Sequence, residues 1–209
     1  MPQKHEFSIR GRVVAVAADR GHHFSKPTQE HIILVEGHGV EGDAHAGPFV
    51  RHRYLARRQP RLPNLRQVHL IPSELFPSLL EAGFEVGAGD LGENVTTAGL
   101  NLERMPLGTL IELGPSEVVE LTGLRTPCVL IDRFRANLKR QVLSSAETGP
   151  AFKSGVLSVV GPWDRSWPAI ARGFAFHPPR FGLCRPYREP LPWSENRPCL
   201  FACSPCWPR

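Results

Sequence analysis

Several things are scarce in this chain. Of its 209 residues only five are Cys, two are Met and two are Tyr, and aromatic residues make up 8%. No apolar run approaches the roughly 20 residues a spanning helix needs. The N-terminal Met1–Glu6 stretch is polar, and Arg10 and Arg12 interrupt the apolar residues that follow. Neither a signal peptide nor a membrane span is expected, and a cytoplasmic protein is. Residues 1–161 hold a single cysteine, Cys128, which excludes an internal disulfide there and fits a reducing compartment. Lysine is absent from residues 162–209.

Abundance is uneven too. The chain has 21 Pro and 19 Gly, yet residues 162–209 take 10 of the prolines, two glycines, all four Trp and four of the Cys. That segment carries seven Arg against Asp164, Glu189 and Glu195, so it supplies most of the formal net charge of +5. A basic balance is a common footprint of nucleic-acid binding. Here residues 1–161 are close to neutral, so that reading attaches to a basic loop and the tail. Two units are expected: a domain over 1–161, and a divergent Pro/Trp/Cys-rich tail over 162–209 that is poorly ordered.

Within the first unit, residues 8–18 and His31–Val35 read as strands, being rich in β-branched and small side chains. Val40–Leu65 has little hydrophobic period and carries Arg51, His52, Arg53, Arg57, Arg58 and Arg61; a long loop of this kind is usually functional or mobile. Gln67–Ile71 predicts a strand. Ser73–Gly83 predicts a helix capped by Ser73 and ended by Gly83, with Pro77 in its first turn. Thr109–Leu113 and Glu117–Leu124 predict a hairpin, Phe134–Leu143 a short helix and Gly155–Val160 a closing strand. Many short strands without βαβ alternation point to an α+β, mainly β, barrel-like domain with helical decoration.

Four clusters there could carry chemistry. In Gly42-Asp-Ala-His45 a carboxylate and an imidazole two residues apart share one side of an extended segment, among glycines that allow close backbone approach. The ordinary alternative is a pair satisfying turn hydrogen bonds. Gly89-Asp-Leu-Gly-Glu-Asn-Val-Thr-Thr97 offers Glu93, Asn94, two hydroxyls and backbone amides, suited to a polar ligand or to an elaborate turn. Leu121-Thr-Gly-Leu-Arg-Thr-Pro-Cys128 sets Arg125 three residues before the cysteine, where a guanidinium favours the thiolate that attacks sulfur or binds a soft metal. A lone cysteine is more often a small buried hydrophobe. The Arg-rich loop ending in Arg66 lacks interleaved aromatics and suits phosphate or carboxylate groups better than stacked bases.

Taken in order, these segments resemble the MOSC domain, the family named after the C-terminal part of molybdenum cofactor sulfurases, and its small stand-alone bacterial members. The matching stretches are Gly39-Val-Glu-Gly-Asp-Ala-His-Ala-Gly47, Asn64-Leu-Arg-Gln-Val-His-Leu-Ile71, Gly89–Thr97, Leu107-Gly-Thr-Leu-Ile-Glu-Leu-Gly114 and Thr122–Cys128. The resemblance implies a strand-rich barrel that binds molybdenum cofactor (molybdopterin) or carries sulfur. It assigns Cys128 as the persulfide carrier or molybdenum ligand, and Asp43, His45, Arg66, Glu93, Asn94 and Arg125 as the lining of the pterin pocket. It also implies oxidoreduction of N-hydroxylated compounds with an external flavin or iron–sulfur reductase, or sulfur transfer from a cysteine desulfurase. Pyridoxal phosphate enters only through the family's association with desulfurases, since no lysine stands in a recognisable cofactor motif.

The resemblance ends near Gly161. Family members continue with a glycine-rich turn and a final strand, whereas this chain runs into Gly161-Pro-Trp-Asp-Arg-Ser-Trp-Pro. Choosing GC-rich codons for Gly161–Ala171 and reading two bases later restores Pro-Val-Gly-Ser-Val-Leu-Ala-Gly-Asp-Arg, so a frameshifted tail is one expectation. A zinc site of Cys184, Cys199, Cys203 and Cys206 is its competitor. The alternative function for the whole chain is a nucleic-acid-binding or interaction module built on the basic loop and tail.

Overall fold

The computed structural model describes residues 9–51, 57–114, 117–146 and 149–161. The tail, its four cysteines, and His52 and Arg53 of the basic loop lie outside the described residues.

The main sheet has seven strands in the order β2-β1-β6-β5-β11-β8-β7. These are β1 (Arg12–Ala17), β2 (Thr28–Gln29), β5 (Val68–Pro72), β6 (Val95–Ala98), β7 (Leu110–Leu113), β8 (Glu117–Leu124) and β11 (Val156–Val160). Two small hairpins add β3 (Leu34–Val35) with β4 (Gly39–Val40), and β9 (Leu143–Ala146) with β10 (Gly149–Phe152). Three short helices, α1 (Leu75–Glu81), α2 (Val129–Phe134) and α3 (Leu138–Gln141), decorate the sheet. The sheet curls into a half-barrel, in agreement with the mainly β, α+β expectation. Among the described residues no helix is long and apolar enough to cross a membrane.

Every residue of β5 and β11 is buried, because both faces of the sheet centre are covered. Alternation along β5 sends Val68 and Leu70 into one apolar cluster with Val40, Val95, Val119 and Val156. Ile71 goes to the other, with Leu75, Leu79, Leu91, Ile131 and Leu138 from beneath the helices. Each such fully buried aliphatic side chain contributes about 1.5–3 kcal/mol. His69 lies two residues from Ile71, on the same face.

The predicted hairpin of Thr109–Leu113 and Glu117–Leu124 forms as β7 and β8, with Leu113 opposite Glu117. Elsewhere the structure departs from expectation. The helix predicted over Phe134–Leu143 is reduced to α3, Leu138–Gln141: α2 already ends at Phe134 on an extended Arg135, and Asn137 takes the left-handed conformation at φ 68° just before α3. The Ser73–Gly83 helix begins at Leu75 with Glu74 at the N-cap and no side-chain cap. Ser73 uses its backbone N–H to reach the Thr97 carbonyl across to β6. The strand expected to close the domain, β11, lies inside the sheet between β5 and β8. One βαβ unit does occur, since β5 and β6 pair in parallel across α1.

Candidate functional site

Asp43 is the hub of a buried polar cluster. Gly39 and Gly42 precede it with φ of 105° and 74°, and a Cβ at Gly39 would press on the Gln67 carbonyl. This left-handed backbone turns the segment inward. The Lys26 ammonium lies 2.7 Å from Asp43 Oδ2, and the two side chains are only 4% and 2% exposed. Asn94 Nδ2 donates to the same oxygen at 3.1 Å. The His45 N–H donates to Oδ1 at 2.9 Å, and His45 Nδ1 lies 3.3 Å from it. Burial alone would raise the Asp43 pKa. The His45 hydrogen bond and the Lys26 charge overcome that, and the carboxyl is held well below the usual range. The Lys26 pKa is lowered by burial, against the pull of Asp43.

Asn94 has no amide atom to spare. Its Nδ2 reaches Asp43 and the Ala17 carbonyl, and its Oδ1 accepts from the His69 N–H. It therefore locks β1, β5 and the Asp43 loop together. His45 is different: its side chain is 39% exposed, and its ring meets the edge of His22 at 5.6 Å between centroids.

The other half of the site is carried by the segment after β8. The Arg125 guanidinium comes within 3.9 Å of the half-buried Cys128 Sγ. Arg66 is coupled electrostatically to both, and burial together with the like charge of Arg125 pulls its pKa down to about 10, so it stays cationic at neutral pH. Arg66 is fixed from two sides. Its N–H donates to Asn64 Oδ1, while Asn64 Nδ2 donates to the carbonyls of His45 and Gly47. Thr122 of β8 donates to the Leu65 carbonyl at 2.6 Å. Among the described residues no carboxylate forms an ion pair with Arg66 or Arg125.

Buried His69 joins the two halves. Its N–H and carbonyl bond to Asn94, and its Nε2 donates to the Ser154 carbonyl at 2.8 Å. The Ser154 hydroxyl in turn donates to the Arg125 carbonyl. Burial lowers the His69 pKa well below its ordinary value, with the Arg125 charge adding to the effect, so the imidazole is neutral.

Of the residues singled out from sequence, Asp43, His45 and Asn94 come together, and so do Arg66, Arg125 and Cys128. Glu93 stands apart from any open surface. It is fully buried, and its Oε1 accepts from the Gly89 N–H at 2.6 Å and from the Thr96 hydroxyl. Among the described residues its Oε2 has no hydrogen-bond partner, and burial raises its pKa. Lys26, Asn64, His69 and Ser154 were not singled out. A histidine amid the apolar residues of Val68-His-Leu-Ile71 was a readable signal for a buried imidazole, whereas Lys26 had none.

The curled sheet therefore sets one half-buried thiol, Cys128, near the guanidiniums of Arg125 and Arg66, which among the described residues have no carboxylate partner. The MOSC domain family matches residues 22–158, and the chain belongs to that family. The domain is thus related to molybdenum cofactor sulfurases, and the family is associated with the molybdenum cofactor. The YuaD protein of Bacillus subtilis has a similar crystal structure, with a TM-score of 0.60 at 18% identity over 73% of this chain and 88% of that one. YiiM from Geobacillus stearothermophilus matches with a TM-score of 0.47 at 18% identity, over 78% of this chain and 80% of that one. YiiM from Escherichia coli matches with 0.46 at 18% identity, over 71% and 62%. A search of curated proteins found no match.

Proposed function

We propose that the chain binds molybdenum cofactor with Cys128 as the protein ligand to the metal, and uses it to reduce N-hydroxylated compounds with electrons from a separate flavin or iron–sulfur protein. The observation that supports this is the pair Arg66 and Arg125, two guanidiniums held beside one thiol with no acid to balance them among the described residues. Leaving two like charges together in a partly buried place is costly unless an anion completes the set. The donor chemistry fits the group. Guanidiniums bind phosphate oxygens through paired hydrogen bonds, and a thiolate is a soft ligand suited to a soft metal.

Each residue then has a task. Cys128 would hold the metal, and Arg66 and Arg125 the anionic part of the cofactor. His45 would present its exposed imidazole edge to a ligand, with Nδ1 facing Asp43. Lys26, Asp43, Asn94, Asn64 and His69 orient these groups without touching the ligand. When bound, the cofactor supplies the two-electron redox centre that the side chains lack.

The test is turnover of an N-hydroxylated base by protein produced in a molybdenum-replete host, with a chemical reductant, beside Cys128→Ser. Turnover by the unaltered protein and none by the variant is expected. Acceptance of labelled sulfur from a cysteine desulfurase, without any turnover, would overturn the redox reading in favour of a persulfide carrier.

A further inference from the structure

The surface next to Cys128 combines two properties rarely left together in water. Val129 and Leu130, the first two residues of α2, are 54% and 40% exposed. Further along α2 and α3, Arg133, Arg135 and Arg140 are exposed and Lys139 is half-buried. Asp132 is the one acid within residues 125–141, and its Oδ1 accepts the Lys139 N–H. The cations are not loose ornaments of a mobile turn. Arg135 lies over the Phe134 ring at 5.1 Å, and Phe134 packs on Phe24 at 5.7 Å between centroids, two residues from Lys26.

We infer that the α2–α3 face is the docking surface for an acidic protein, the electron donor of the Cys128 site. Exposed apolar side chains on the same short helical pair as exposed like charges match an interface with a small dry centre and a charged rim. The one-sided charge would steer an acidic partner onto the face and repel a basic one. Docking there sets the partner against the residue that follows Pro127, so electrons arrive beside the thiol. The inference rests on the proposed redox function for the partner's role, while docking itself is measured without turnover.

The experiment uses the full chain and, as probe, an acidic ferredoxin carrying an iron–sulfur cluster. Affinity is measured by calorimetry at two salt concentrations, and Cys128 alkylation by iodoacetamide is timed with and without the ferredoxin. Binding that weakens at least tenfold in Arg133→Glu/Arg135→Glu/Arg140→Glu is expected, with little change in the charge-reversed control Arg12→Glu/Arg104→Glu. Slower alkylation of Cys128 in the complex is expected too. No binding, equal losses in both variants, or unprotected Cys128 would overturn the proposal. So would tighter, salt-sensitive binding of single-stranded polynucleotide to the same face. Loss of docking in a protein that retains molybdenum would leave the cofactor reading standing, and docking by a protein without molybdenum would count against that reading alone.

Discussion

Lys26 Nζ meets Asp43 Oδ2 at 2.7 Å, out of solvent, and the same oxygen takes the Asn94 amide. A pair so placed contributes little net stability of its own, yet breaking it strands a buried charge. Lys26→Met should cost about 3–5 kcal/mol in urea unfolding. The double change Lys26→Met/Asp43→Leu should cost less than the two single changes added together. Additive losses would show that the pair is not coupled.

Acid should unfold the protein partly through Asp43. In the unfolded chain this carboxyl takes up a proton near its ordinary value of 3.8, while the folded protein resists until lower pH. The stabilisation is therefore complete above 3.8 and lost as pH falls through that value towards the folded one. Urea midpoints from about pH 5 to about pH 2 should fall more steeply for the unaltered protein than for Asp43→Asn.

His69 gives a second slope, at milder pH. Its neutral imidazole is buried, so the unfolded chain protonates it below 6.5 while the folded one does not. Stability is present above 6.5 and declines as pH drops below it. His69→Gln should flatten that part of the profile. The variant should also lower cofactor content if the Ser154 link to Arg125 orients the site, a change that lost packing alone would not confine to cofactor-loaded protein.

Gly89 takes φ 85° where a Cβ would run into the Lys26 carbonyl oxygen, and the Lys26 N–H donates back to the Gly89 carbonyl at 2.8 Å. Gly89→Ala faces both a left-handed backbone and a clash, and should lose at least about 2 kcal/mol. Gly83 has φ 86° with nothing near its Cβ position, so Gly83→Ala should cost only the conformational part, about 1–2 kcal/mol.

Arg66 tests a trade between stability and binding. Removing it relieves Arg125 of a like charge, so Arg66→Met should leave apo-protein stability unchanged or raise it by about 0.5–1 kcal/mol. The same variant should retain much less molybdenum and pterin. A variant destabilised without its cofactor would show that Arg66 has a structural partner.

What the sequence reveals depends on the range of the forces involved. The β7–β8 hairpin was legible because Thr109–Leu113 and Glu117–Leu124 are β-rich runs joined by a short Gly-Pro-Ser turn, a local signal that needs no knowledge of the rest of the chain. The break at Asn137 was not, since a left-handed residue leaves the apolar pattern around it intact. Arg125 and Cys128 are three apart, so their meeting is local. The burial of Lys26 depends on Asp43 and on an asparagine far along the chain, and a lysine before Pro27 looks like any surface residue until those partners are placed.

The central claim is that Cys128 ligates a molybdenum centre, and metal and pterin analysis tests it most directly. Protein purified from a molybdenum-replete host should hold molybdenum and pterin in near-equal amounts approaching one per chain, and Cys128→Ser should retain little of the metal while unfolding at an unchanged urea midpoint. Equal molybdenum in the two proteins, or none in either, would contradict it.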